Sequence, residues 1–300
     1  MSTDVSTKTE FLYGGVSGVT LATDCFELGE GVEIRQTFAH LFSANMMAFA
    51  RPEPGRHHPP PWRAAKGGFA YDIEAEIRAP SQTSLGESFD AKETIWWIAA
   101  LLRMARFPYL SIPVISNYSF SEISQTDREP TLTPFETEGR IFGPAEGVVS
   151  VLDSENLEWV RDKWVTAGKL LNQNPKFYSV LKAFDLATLR GRASSSLLAM
   201  WGGLEQIFAP TPGELRYRVA ALMASYLEGH GAKHLSLYRE ILKLYNERCV
   251  AAHTAQQVET APLVQTYVIM RNVLVKMIDT NQVPTQLDLE TLLLSADSPL

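Results

Sequence analysis

Proline and glycine punctuate the second half of the chain in a way that leaves little besides helices. Pro175, Pro212, Pro262 and Pro284 stand near the starts of stretches with helical periodicity, where a missing amide hydrogen is tolerated. Gly229 and Gly231 break the chain between two such stretches. The spacing predicts helices over roughly 154–172, 175–189, 193–209, 212–229, 232–254, 261–281 and 286–295. In the helix from Ala232, the residues Leu237, Ile241, Leu244 and Tyr245 make one apolar stripe, with Lys and Glu opposite. Long amphipathic helices with short connections predict an antiparallel bundle over residues 151–300.

The first half obeys a different period. Gly14-Gly15, Gly18, Gly29 and Gly31 chop it into short β-prone pieces, and Gly31–Phe38 alternates as a strand with one buried face does. Five prolines between Arg51 and Trp62 demand irregular backbone. Tyr71–Ile77 alternates again, and Leu110–Phe120 is rich in β-prone residues. Between these, Ile95, Ala99 and Leu102 recur at helical spacing over Asp90–Phe107, with Asp90 placed as N-cap. Gln125–Glu138 is polar with two prolines and reads as a loop. The expected fold class is therefore α+β. A β-rich domain with one inserted helix covers residues 8–150, and an all-α bundle covers 151–300.

Charge narrows the partners. The net charge is −7, and it lies wholly in residues 1–150, which hold 12 Lys and Arg against 19 Asp and Glu. Residues 151–300 carry 15 of each. No broad field attracts phosphates, so any nucleic acid must be met at a small site. Two cysteines, Cys25 and Cys249, support neither a disulfide framework nor a cysteine-based zinc site. No signal pattern opens the chain, and the apolar run near Ile95–Leu102 is too short to cross a bilayer. The expected location is the cytoplasm.

Chemistry concentrates in Leu244–His253. Arg248 and His253 stand five residues apart near the end of a predicted helix. A histidine titrating near neutrality can take or give a proton. A guanidinium stays charged and clamps phosphate through parallel hydrogen bonds. Cleavage of RNA by its own 2′-hydroxyl needs both services and no metal. Five residues turn a straight helix by about 140°, so the two side chains flank a groove, or two copies pool their pairs across a dimer axis. The same residues admit a structural reading. His253 suits the negative end of a helix dipole, and Arg248 can pair with Glu247 or Glu205.

Three stretches in order then suggest a family. Leu198-Ala-Met-Trp-Gly-Gly-Leu-Glu-Gln-Ile-Phe208, Leu215-Arg-Tyr-Arg-Val-Ala-Ala-Leu-Met-Ala224 and Tyr245-Asn-Glu-Arg-Cys-Val-Ala-Ala-His253 resemble successive helices of the ApeA-like branch of the HEPN superfamily, the last carrying its Arg-x4-His motif. The resemblance covers about 190–297. It implies a helical, usually dimeric domain, and in many members a metal-independent endoribonuclease active in phage defence or as a toxin. It makes Arg248 the phosphate-stabilising residue and His253 the proton-transferring one, without cofactor or metal. The chain departs from the family at Cys249, where a polar residue is common, and at Thr254, where glycine is common.

Around the pair, Glu205 is placed to orient Arg248 or His253 from a neighbouring helix, or to form an ordinary salt bridge. Tyr245 supports the guanidinium or fills the bundle core. Glu247 is an alternative partner for Arg248, and Cys249 a small groove residue. His57-His58, followed by prolines, makes poor chelating geometry, and Trp96-Trp97 reads as core. Two functions follow. One is an endoribonuclease with RNA as substrate, a homodimer whose β-rich domain senses a ligand or protein trigger. The other is a non-catalytic dimerisation module that binds a partner protein or nucleic acid.

Overall fold

The computed structural model describes residues 11–41, 46–54, 56, 59–64, 71–143, 150–189, 191, 193–209, 215–253 and 259–295. The fold is α+β, an antiparallel sheet followed by helices. Two compact units compose it. The first takes residues 1–99, 110–137 and 144–158; the second takes 100–109, 138–143 and 159–300.

The first unit is built on a six-stranded sheet. Its strands are β1 (Phe11–Ser17), β3 (Cys25–Gly29), β4 (Val32–Leu41), β7 (Tyr71–Pro80), β8 (Ser111–Ser116) and β9 (Leu132–Pro134), in the order β3-β4-β7-β1-β8-β9. Two small pairs stand apart: β2 (Thr20–Leu21) runs parallel to β10 (Val151–Leu152), and β5 (Met46–Ala48) runs antiparallel to β6 (Trp62–Ala64). Alternation in Gly31–Phe38 matures into the longer β4 because β7 pairs along its length, from Glu33 opposite Arg78 to Leu41 opposite Tyr71. The β3–β4 turn holds Gly29, Glu30 and Gly31 at φ of 92°, 53° and 78°, which is why glycine flanks it. The stretch Gln125–Glu138, read from sequence as loop, contains β9. A three-residue edge strand with every residue exposed carries no alternation signal, and an edge tolerates Pro134.

The Asp90–Phe107 periodicity becomes α1 (Ala91–Ala105), with the Asp90 carboxylate accepting from the Glu93 amide at 2.9 Å. Gly14 lets its Ile95 side chain approach β1. A Cβ built at Gly14 would stand 2.5 Å from Ile95 Cγ2, closer than any real contact. Trp96 and Trp97 are buried in the core. On β7, the buried Glu76 accepts from Ser119 Oγ at 2.7 Å and the Phe120 amide at 2.8 Å, which holds the segment after β8 against the sheet. Burial pushes the Glu76 carboxyl above its ordinary range.

The second unit is helical: α2 (Ser154–Gln173), α3 (Pro175–Ala187), α4 (Ala193–Phe208), α5 (Leu215–Leu227), α6 (Ala232–His253), α7 (Thr260–Thr280) and α8 (Gln286–Leu294). The starts follow local chemistry. Asn174 accepts from the amides of Lys176 and Phe177, with Pro175 in the first turn. Thr285 and Asp288 form a reciprocal capping box on α8. Asn281 closes α7 in the left-handed conformation. Helix α4 sits centrally, against α3, α5, α6 and α7. Its Gly203 faces Met270, Ala183 and Val180, at a point where a side chain would crowd α3 and α7. Among the described residues, no helix is long and apolar enough to cross a membrane.

One buried charge cluster belongs to this unit. Arg103 Nη1 donates to Asp185 Oδ1 at 2.8 Å, and Arg140 Nη1 donates to the same oxygen at 3.1 Å. Arg140 also donates to Thr188 Oγ1 and to the Asp185 carbonyl. Tyr267 and Arg271 of α7 cap carbonyls at the end of α1, those of Arg103, Met104 and Ala105.

Candidate functional site

Helix α6 carries the motif residues, and its two neighbours decide where they go. The stripe Ile241, Leu244 and Tyr245 is buried, which fixes the rotation of the helix. Arg248 lies one turn beyond Leu244, so it is turned towards α4. There its Nη2 lies 3.3 Å from both carboxylate oxygens of Glu205. Tyr245 donates its hydroxyl to Glu205 Oε1 at 2.7 Å, and the guanidinium sits 5.5 Å from the Tyr245 ring centre. The fully buried Trp201 of α4 meets the Tyr245 ring edge-on at 5.1 Å.

Glu205, Tyr245 and Arg248 therefore form one braced group. Tyr245 serves both sequence alternatives, since it is buried in the bundle and holds the acid that holds the guanidinium. The side chains of Arg248 and Glu205 keep 27% and 20% of their surface exposed, enough for the guanidinium to meet a ligand from solvent. Arg248 Nε is buried without a hydrogen-bond partner among the described residues. Glu247 and Cys249 are half-buried.

Burial, and next the bond to Glu205, push the Tyr245 hydroxyl up to about 12. The folded state favours the protonated phenol. Its contribution to stability is thus complete below the ordinary tyrosine range, near 10, and is lost as pH rises towards 12. Tyr245→Phe is expected to flatten the fall in stability over that alkaline window. Denaturant unfolding at several pH values checks this, and an ultraviolet titration should lose one late-ionising tyrosine.

The helix α6 runs to His253, whose side chain lies outside the described residues, as do His57 and His58. The backbone nevertheless fixes angular positions. At 100° per residue, positions 248 and 253 lie about 140° apart around the helix, whereas 246 and 253 lie within about 20°. Position 253 therefore shares its stripe with Asn246 rather than Arg248. Asn246 is exposed, and its Oδ1 accepts from Arg216 Nη1 of α5 at 3.0 Å. Sequence reasoning missed Arg216 and Asn246. They stand 30 residues apart on different helices, and the only trace they leave is the seven-residue step from Asn246 to His253.

Compared with protein-family models, curated proteins and solved structures, the chain matched none.

Proposed function

We propose that the helical unit is a metal-independent endoribonuclease of HEPN type, acting as a homodimer, with phage defence or toxin-like RNA cleavage as its role. In this reading His253 is the general base and Arg248 the phosphate clamp. The observation that carries it is the bracing of Arg248. A guanidinium that is partly exposed and held in place by Glu205 is prepared for an anion in a way a freely moving surface arginine is not. The angular separation of positions 248 and 253 makes the dimer part of the mechanism. In the proposed dimer a two-fold axis runs beside α6, so that the arginine of one copy meets the histidine of the other. The base removes the 2′-hydroxyl proton, and the guanidinium takes up charge developing on the phosphorane. A ligand or protein trigger acts through the β-rich unit.

The test is incubation of the full chain with tRNA and mRNA in EDTA. Wild type should yield fragments with 2′,3′-cyclic phosphate ends. His253→Ala should lose roughly 10²–10⁴-fold in rate. Arg248→Ala should lose about 10²–10³-fold. Undiminished cleavage by both variants removes the proposal.

A second reading has its own support. Arg248 already has a carboxylate partner, as a purely structural arginine would. In that reading the bundle is a dimerisation or partner-binding module, and losing the pair lowers stability while no RNA-directed activity exists to change.

A further inference from the structure

Along α6, one stripe of described residues is exposed and cationic. Arg239, Lys243 and Asn246 follow one another at helical spacing, all three exposed, and Val250 continues the row. Relative to Asn246, the positions of Arg239, Lys243, Val250 and His253 all fall within about 60° around the helix, while those of Glu240 and Glu247 fall about 100° or more away. Helix α5 adds to the same edge. The Arg216 guanidinium is held by Asn246 at 3.0 Å, donates to the Tyr217 hydroxyl, and lies 4.4 Å from the Tyr217 ring centre. Tyr217 is 49% exposed.

We infer that Arg216, Asn246 and Tyr217 are a binding edge for single-stranded RNA beside His253: Arg216 holds a backbone phosphate and Tyr217 stacks a base. The inference deepens the nuclease reading and rests on it for the role of His253. Three features select this chemistry. An arginine whose Nη1 donates to an amide oxygen and whose Nη2 donates to a phenol is already ordered, and its remaining N–H donors are left for a phosphate. An exposed tyrosine with a cation against its ring offers the flat, sequence-tolerant surface on which unpaired bases stack. Asn246 lies two turns before His253, about 10 Å along the axis, so a bound strand passes from the edge to the base without crossing the helix. A duplex would not present its bases to the ring. The positive row is short, which suits a half with no net charge.

Arg216 and Tyr217 are thus positioning residues, and their loss should be visible in binding. The full chain carrying His253→Ala, which cannot process its ligand, is mixed with a fluorescent single-stranded oligoribonucleotide and followed by anisotropy over a range of salt. Adding Arg216→Gln should weaken binding about tenfold and lower the salt slope by roughly 0.7, the signature of one lost phosphate contact. Adding Tyr217→Leu should weaken binding about tenfold while leaving the slope unchanged. Equal binding by parent and both double variants overturns the inference, as does absence of binding by the parent. In the cleavage assay, Arg216→Gln in the wild-type background should raise KM with little change in kcat. Binding that depends on Arg216 without any cleavage by wild type sinks the nuclease reading and leaves the RNA edge standing. Cleavage with an unchanged KM in Arg216→Gln does the reverse.

Discussion

Asp185→Ala is expected to destabilise the helical unit by about 3–5 kcal/mol, a large share of what holds a domain folded. The side chains of Arg103, Arg140 and Asp185 retain only 1%, 2% and 9% of their surface. One carboxylate oxygen serves both guanidinium groups, at 2.8 and 3.1 Å. Removing the acid leaves two cations facing each other away from water, and neither can shed its proton. Asp185→Asn keeps the acceptor oxygen and the shape but not the charge, so its loss should be smaller. The midpoint of guanidinium unfolding, followed by helical circular dichroism, ranks the variants. Alanine and wild type with the same midpoint would mean that the acid does not hold the cluster.

Trp201→Ala should cost a similar amount, about 3–5 kcal/mol, through a cavity rather than a charge. Trp201 is wholly buried at the centre of α4, and its edge-on contact forms one wall for Tyr245. The effect should therefore spread to the candidate site. With the wall gone, Tyr245 loses the packing that aims its hydroxyl at Glu205, and Arg248 loses the acid's fixed orientation. Trp201→Phe keeps a ring in the space and should recover much of the stability. Trp201 Nε1 has no hydrogen-bond partner among the described residues, so phenylalanine gives up no bond there. A phenylalanine variant as unstable as the alanine variant would point to something other than packing.

Helix starts were the most legible part of the sequence, because their causes are local. Helix α3 starts at Pro175 and α8 at Gln286, two residues after Pro284, as the proline punctuation predicts. Asp90 likewise announces α1. Strand β9 left no trace, since an edge strand is defined by the neighbour it pairs with, here Val114–Ser116. The site divides along the same line. The sequence offers Glu205 and Glu247 alike as partners for Arg248, and the packing of α4 against α6 decides for Glu205, 3.3 Å from the guanidinium. Arg216 was invisible because its value depends on which side of α6 meets α5, and that is settled by packing of Ile241 and Leu244, not by any spacing around Arg216. The charge cluster was hidden for the same reason. Arg103, Arg140 and Asp185 are ordinary residues in their own neighbourhoods and meet only in the folded chain.

That cluster also orders events during synthesis. Arg103 leaves the ribosome 82 residues before Asp185, and Arg140 leaves 45 residues before it. The β-rich unit must likewise wait for Val151 and Leu152 before β2 has its parallel mate. The β-rich unit is complete only once residue 158 has emerged, and the helical unit needs residues 100–109 and 138–143 as well as 159–300, so a nascent chain of this protein carries segments of the helical unit uncovered while its first unit is still being finished. It should lean on chaperones then more than a chain whose domains emerge one after the other.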